Sequence, residues 1–404
     1  LQKKRIWLIF LEIEMDVLFF GGYDRAYPRN AVLRRGLELA GAAVSECHVR
    51  PGHKFWLRYP FLLSRWFRPV SGASGQAGTG SYILVPEFCQ KDVPLARCLG
   101  ALASRRVIFD PLASRFETKI VDWGWKSAHT LAAWWNRLID ALAFRSADLV
   151  LADTKAHRDY YMGFFGLPSE KFGVIPVGFD DRIFSRDLAR AGRPSRAGRP
   201  EGSPFTALFF GSFLPLHGVE VILEAARRVS ERDKSIRFLL IGGGRTLPRV
   251  KARAAELGLG NVDFEGWMSQ RALAETVAAR GDVCLGIFGR TEKAGRVVPH
   301  KIFQSMALGQ PVITARTPAV EEFFEHGRDI FLCDRLRPES LAEAILVLKK
   351  EAGMRESIAR RGFDLAWEKF RPAALGAELV DILEKRCTHR ELGQAPGGDR
   401  PQDF

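Results

Sequence analysis

Residues 282–316, DVCLGIFGRTEKAGRVVPHKIFQSMALGQPVITAR, constrain the fold more than any other stretch. The run 283–288 is uninterrupted apolar sequence, as expected of a strand covered on both faces, and it gives way at 289–298 to a loop carrying Arg290, Lys293 and Arg296. Pro299 suits a first helical position, Phe303, Met306 and Ala307 supply an apolar face, and Gly309 with Pro311 ends the helix before a second buried strand at 311–315. A strand, loop, helix, strand unit belongs to a parallel sheet, and such sheets bind ligands at the carboxyl ends of their strands, where helix N-termini offer free N–H groups. The loop cations predict an anionic ligand. Lys301 and Gln304, three apart, share one helix face and can reach the same molecule.

The same alternation runs through the chain. Strands are expected at 16–20, 42–49, 81–86, 106–109, 148–152 and 172–176, with helical periodicity at 29–39, 93–103, 131–145 and 155–165. Residues 186–204, RDLARAGRPSRAGRPEGSP, have no apolar periodicity and read as a linker. Beyond them strands at 206–210, 236–241 and 261–264 alternate with helices at 218–229, 248–257 and 270–279. The chain is too long for one ordinary core, and two α/β halves predict two Rossmann-like domains facing across a cleft, followed by C-terminal helices. The expected boundaries are a first domain at 15–185, the linker at 186–204, a second domain at 205–370, a C-terminal helix at 371–388 and a disordered polar tail at 389–404. Residues 1–14 read as an extension or a misassigned start. Their basic residues before a short apolar run resemble the start of a signal peptide, but Glu12, Glu14 and Asp16 interrupt it and Met15 directly precedes the first strand.

A net charge of +13 and a pI near 9.7 point to an anionic partner: nucleic acid, a membrane surface or a phosphorylated small molecule. No nucleic-acid-reading motif occurs, so nucleic acid is not expected. The six cysteines are scattered without C-x-x-C pairs, which argues against zinc and a disulfide framework and fits a reducing cytoplasm. Residues 50–70 interleave Arg50, Lys54, Arg58, Arg65 and Arg68 with Trp56, Phe61, Trp66, Phe67 and other apolar residues, and contain no acid. Two readings fit: a segment that lies on an anionic membrane at its inner face, or a partly buried helix with solvated arginines. The first strand ends at Gly21 and Gly22, which suits a tight turn or a backbone approached by a ligand. Asp110 and Asp153 follow strand ends, where a carboxylate can act as a base, hold a hydroxyl or cap a helix.

Three pieces have a more specific likeness: ADLVLADTKAHRDYYMGFFGLPSEKFGVIPVGFDDRIF at 147–184, LFFGSFLPLHGVEVILEAA at 208–226 and PHKIFQSMALGQPVIT at 299–314. In this order and spacing the chain resembles a GT-B glycosyltransferase of the retaining family 4 type (glycosyl transferases group 1), over nearly all of its length after residue 15. The resemblance implies transfer of a sugar from a nucleotide-diphosphate sugar to a lipid-linked or polysaccharide acceptor bound by the first domain, with retention. No D-x-D pattern occurs, so neither a metal nor any cofactor beyond the donor is expected. An Arg and a Lys common in the family's first donor-domain loop are replaced by Ser212 and His217, and its Glu-x7-Glu pair by Arg296 and Gln304. The chain instead matches a subgroup with F-x-P-L-H-G, here Phe213 to Gly218, and K-x-x-R-x-x-P-x-K, here Lys293, Arg296, Pro299 and Lys301.

By that likeness Lys293, Arg296 and Lys301 stabilise the leaving diphosphate, with His217 donating to it. Gly21, Gly22, Gly211, Ser212, Gly243 and Gly244 line the donor, Gly266 and Trp267 hold the base, and Gln304 holds the ribose. Asp110 takes the place of an active-site histidine, as base or hydroxyl anchor. A catalytically inactive GT-B binding module or partner subunit is the alternative.

Overall fold

The computed structural model describes residues 15–52, 55–67, 80–124, 127–197 and 203–391. The expected extension at 1–14 and the tail beyond 391 lie outside these. Two parallel six-stranded sheets form the frame. The first contains β1 (Asp16–Gly21), β2 (Ala43–His48), β3 (Ser81–Val85), β4 (Arg106–Phe109), β5 (Leu149–Ala152) and β6 (Phe172–Val174), in the order β2-β1-β3-β4-β5-β6. The second contains β7 (Phe205–Ser212), β8 (Ile236–Gly243), β9 (Val262–Glu265), β10 (Val283–Leu285), β11 (Val312–Ala315) and β12 (Phe331–Cys333), in the order β12-β11-β10-β7-β8-β9. Strands such as β3 and β10 are buried along their whole length because helices cover both faces, which is why they read as continuous apolar runs.

Strand order reverses between β1 and β3 and again between β7 and β10, so the loops leaving each pair diverge and open a crevice at the carboxyl edge. The glycine-ended strands β1 and β7 both stop there. The unit at 282–316 folds as expected, except that ladder pairing ends at Leu285 and Pro299, in extended conformation, caps the helix His300–Ala307 from just outside it.

Two segments differ from the sequence reading. Residues 186–197 of the expected linker form the helix Arg186–Ala197. It needs no large apolar stripe, because Ala189 is buried and Gly192 lies so close to the backbone of Ala278 that a Cβ would stand 2.5 Å from the Ala278 oxygen. The C-terminal helix, Pro372–Glu391, returns to the first domain, where Leu375, Leu379 and Leu383 join the first-domain core. Gly36 and Gly376 make that docking possible, since a side chain at either would collide with the other helix's backbone. The preceding helix, Ala352–Lys369, stays with the second domain, with the Trp367 indole N–H donating to Ala307 O at 3.0 Å.

The basic-aromatic stretch forms the helix Phe55–Trp66. Leu62 is fully buried, whereas Trp56, Leu57, Phe61 and Phe67 are exposed. Two of its arginines point inward, Arg58 to Asp92 at 2.8 Å and Arg65 to the carbonyl of His48. A second helix, Leu131–Ser146, exposes Leu131, Trp134, Trp135 and Leu142, and right-handed crossovers put both helices on the same face of the first sheet. Among the described residues no helix is long and apolar enough to cross a membrane.

Candidate active site

The second-domain wall of the cleft is built where β7 stops. Gly211, at φ +136°, turns the chain, a 3-10 turn spans Pro215–His217, and Gly218, at φ +62°, opens the helix Val219–Arg232. His217 is buried edge-on to Phe209, has the Ser212 backbone as hydrogen-bond partner, and its Nδ1 has no partner among the described residues. Lys301 reaches the same corner from the helix His300–Ala307. Its Nζ lies 3.8 Å from the Phe209 ring centroid and also has no hydrogen-bond partner. A Cβ on Gly211 would stand 3.2 Å from that Nζ, so glycine keeps the corner open.

Burial pushes the Lys301 ammonium well below its usual pKa, and burial together with the Lys301 charge does the same to His217. An anion bound beside the two groups would oppose both shifts. Gln304 is buried one turn further along the same helix. At the ends of β8 and β9, a Cβ on Gly243 would meet Trp267 Nε1 at 2.8 Å, and the Trp267 side chain is 67 % exposed, which excludes a core role. Gly244, at φ +145°, packs against the Phe213 backbone, whereas a Cβ on Gly266 would meet nothing.

The first-domain wall is more acidic. Arg29 and Asp110 form a fully buried two-point pair, Nε to Oδ2 at 2.9 Å and Nη2 to Oδ1 at 3.0 Å, and Arg29 Nη1 donates to the carbonyls of Ile175 and Pro176. At the glycine loop, Gly22 N donates to Asp92 Oδ2 at 3.0 Å, and a Cβ on Gly22 would stand 2.5 Å from Arg58 Nη1. A six-residue π-helical turn, Glu117–Asp122, faces the second domain. There Glu117 Oε1 accepts from Arg296 Nη1 at 2.7 Å, Glu117 Oε2 lies 3.1 Å from His157 Nε2, and His157 Nδ1 lies 2.6 Å from Asp153 Oδ1. Arg296 also covers the Tyr160 ring at 3.9 Å, and Lys293 Nζ donates to Thr118 Oγ1 at 2.7 Å.

Burial opposes the charge on His157, but the carboxylates of Asp153 and Glu117 outweigh it and raise its pKa to about 9. Both ring nitrogens therefore donate at neutral pH. Burial likewise opposes ionisation of Glu117, and His157, Lys293 and Arg296 prevail and lower it to about 2. Two more contacts close this side: Thr154 Oγ1 donates to Arg296 O at 2.5 Å, and the Glu322 carboxylate accepts from the N–H groups of Lys155 and Ala156 at 2.6 and 2.7 Å.

Residues 204–351, which hold the Lys301 corner, match the family described as glycosyl transferases group 1. The chain therefore carries a group 1 glycosyltransferase domain. A D-inositol 3-phosphate glycosyltransferase of Thermomonospora curvata is 29% identical over 240 residues, covering 55% of this chain and 54% of that protein. Mannosylfructose-phosphate synthase of Agrobacterium fabrum is 24% identical over 63% of this chain and 57% of the synthase. The matched region thus spans little more than half the length of these curated relatives. The crystal structure of Anabaena HepE with UDP-glucose superposes with a TM-score of 0.65 at 18% identity, over 92% of this chain and all of that one. Sucrose-phosphate synthase of Thermosynechococcus elongatus gives 0.67 at 14% identity, over 93% and 100%. The fold is GT-B.

Within the group 1 domain, Gly211, Ser212, His217 and Lys301 come together at the switch point, with Gln304 one helical turn from Lys301 and Gly243, Gly244 and Trp267 along the same carboxyl edge. The structure redirects two of the predicted cations. Lys293 and Arg296 are held by Thr118, Glu117 and Glu292 in a contact between domains, because the 3-10 turn Glu292–Gly295 carries both toward the π-helical turn. Asp110 is buried and paired through both oxygens with Arg29, the geometry of a counter-ion. Sequence reasoning missed Arg29, Glu117, His157 and Glu87. Glu87 follows β3 as Asp110 follows β4, so the rule that singled out Asp110 and Asp153, a carboxylate just past a strand end, would have found it. Among the described residues no cluster of His, Cys, Asp and Glu could hold a metal ion.

Proposed function

We propose that the chain is a retaining glycosyltransferase that moves a sugar from a nucleotide-diphosphate sugar to a lipid-linked or polysaccharide acceptor. One observation carries the reading: Lys301 Nζ and His217 Nδ1 are buried without partners among the described residues, against a glycine-ended strand at the switch point of a group 1 domain. Breaking the bond between sugar and diphosphate builds negative charge on the leaving oxygen, and a preorganised ammonium, an imidazole and helix N–H groups in a dry corner lower that barrier. In this reading protein cations supply the stabilisation of the leaving group, and the leaving phosphate takes the acceptor's proton. The UDP-glucose complex of HepE supports a nucleotide-sugar donor.

The exposed aromatic faces of the helices Phe55–Trp66 and Leu131–Ser146 support attachment to an anionic membrane at its cytoplasmic face, where a lipid-linked acceptor is held. A thermal-shift panel of UDP-, GDP- and ADP-sugars tests the donor, since a ligand selective for the folded state raises its melting temperature. One member should stabilise the wild type and not Lys301→Ala. No shift with any member would remove the reading. A catalytically inactive binding module is the second reading, favoured by the engagement of Lys293 and Arg296 away from the phosphate corner, and turnover in the same samples separates the two.

A further inference from the structure

Just past β3, Glu87 and Asn30 pack together at the carboxyl edge of the first sheet. Glu87 is 2 % exposed and Asn30 is 3 % exposed. Asn30 Nδ2 donates to Glu87 Oε1 at 2.8 Å and to Asp24 O at 2.7 Å, which uses both amide hydrogens. Glu87 Oε2 and Asn30 Oδ1 have no partner among the described residues. A buried polar atom without a partner is costly, so folded proteins rarely keep two of them side by side without a use.

The position faces the second domain. Phe88, next in the chain, holds φ at +60° with its ring half exposed, and it meets Tyr27 edge-on at 5.6 Å. Tyr27 in turn meets His300, the first residue of the helix that carries Lys301, at 6.1 Å. The pair therefore stands across the cleft from the phosphate corner, at the distance of a few side chains.

Its chemistry selects a ligand. Burial and the nearby Asp110 charge push Glu87 up to about 9, so it is a neutral acid at physiological pH and its second oxygen can donate. Asn30 Oδ1 can only accept. One donor and one acceptor side by side match a hydroxyl, which accepts and donates. A phosphate would face the Asn30 oxygen unfavourably, and a cation would stand beside the buried Arg29 guanidinium.

We propose that Asn30 and Glu87 form a subsite for a saccharide hydroxyl, belonging either to the transferred sugar or to the acceptor. This rests on the glycosyltransferase reading. Isothermal titration calorimetry on the full chain tests it, with UDP, GDP and ADP, their glucose or mannose derivatives, and methyl α-glucoside added over the preferred nucleotide. Glu87→Leu should weaken one sugar-bearing ligand about 10- to 100-fold while leaving the bare nucleotide unaffected. Loss on the sugar nucleotide assigns the hydroxyl to the transferred sugar, and loss on the glucoside assigns it to the acceptor. Glu87→Gln, which keeps a donor, should recover part of the loss. In wild type the sugar-dependent part of the affinity should fall as pH rises through about 9, and in Glu87→Gln it should not. Glu87→Gln, which can still accept from Asn30, should keep the melting temperature, whereas Glu87→Leu leaves one Asn30 N–H without its acceptor and should lower it by a few degrees, so both are titrated at a temperature where each is folded. Unchanged affinity for both sugar ligands, or equal weakening of the bare nucleotide, overturns the subsite. If wild type binds no nucleotide at all, the glycosyltransferase reading fails and the subsite with it.

Discussion

Arg296 and Lys301 lie on one short stretch and both are largely buried, yet Arg296 meets two carboxylates and an aromatic ring, while Lys301 meets a ring and no anion. The resemblance to the family put both at the donor phosphate. Backbone geometry separates them. Arg296 ends the 3-10 turn Glu292–Gly295, which leans on the first domain, whereas Lys301 sits in the first turn of the helix behind β10 and points at the strand ends. A cation whose counter-charge comes from the other domain stabilises closure. A cation left without one is arranged for a ligand.

The comparison is broken most severely at Glu117. Glu117→Ala leaves Arg296 with only exposed Glu292 and removes one of the two carboxylates that hold buried His157 charged, and breaking a buried pair from one side costs about 3–5 kcal/mol. Chemical denaturation should show that loss, and small-angle scattering should show a more open molecule. The sign with pH follows from His157. Its folded pKa of about 9 exceeds the unfolded value, so its contribution is complete below about 6.5 and is lost as pH rises toward 9. Wild type should lose melting temperature over that range, and Glu117→Ala should lose less. Identical pH profiles in the two proteins would mean that the His157 network does not couple the domains.

Lys301→Ala should do the reverse. Removing an ammonium that has no counter-ion should leave stability unchanged or raised, while turnover falls about 100- to 1000-fold, the scale of losing one preorganised group at a developing negative charge. Because burial holds the Lys301 pKa down and an anion would raise it, nucleotide binding should take up a proton at pH values between the free and bound pKa. Calorimetry in buffers of different ionisation enthalpy reads that uptake directly. If Lys301→Ala is as destabilised as Glu117→Ala and still turns over, Lys301 is structural and the contrast disappears.

How much of this was legible in the sequence depends on the range of the interaction. Strands such as 81–86 and 206–210 were readable because a strand buried on both faces leaves an apolar run with no competing pattern. The meeting of Lys301 with the end of the strand at Gly211 was readable because glycine-ended strands and a cation on a helix face are local features. The cross-domain network was not, since Glu117, His157 and Arg296 are far apart in the chain and only the closed arrangement of two sheets brings them together. The helix Arg186–Ala197 was missed for a different reason. It packs through Ala189, Gly192 and the half-buried Leu188, too few apolar residues for a helical periodicity to stand out among its arginines and glycines.

Trp267 sharpens the phosphate side of the comparison at lower cost. Its exposed ring stands over Gly243, and stacking of a base on an aromatic side chain is worth about 1–3 kcal/mol. Trp267→Ala should weaken the bare nucleotide about tenfold or more and leave the sugar-dependent increment intact. Equal losses from the sugar increment would move Trp267 away from the base.

The smallest expected effect concerns the second half of the domain contact. Glu322 accepts from two N–H groups at the start of the helix Lys155–Phe165, where Thr154 already accepts from His157 N, so its carboxylate supplements an existing cap from across the cleft. Glu322→Ala should therefore cost about 1 kcal/mol. Glu322→Gln should recover part of it, since an amide oxygen can still accept, though without the favourable charge at the positive end of the helix. Added salt should narrow the gap between wild type and Glu322→Gln, because this ion is half exposed and open to screening, and should leave the effect of Glu117→Ala nearly unchanged, because that carboxylate is buried. A salt-sensitive Glu117 effect would place its network at the surface, and the distinction between a buried closure contact and an unpartnered ligand site would then rest on Lys301 alone.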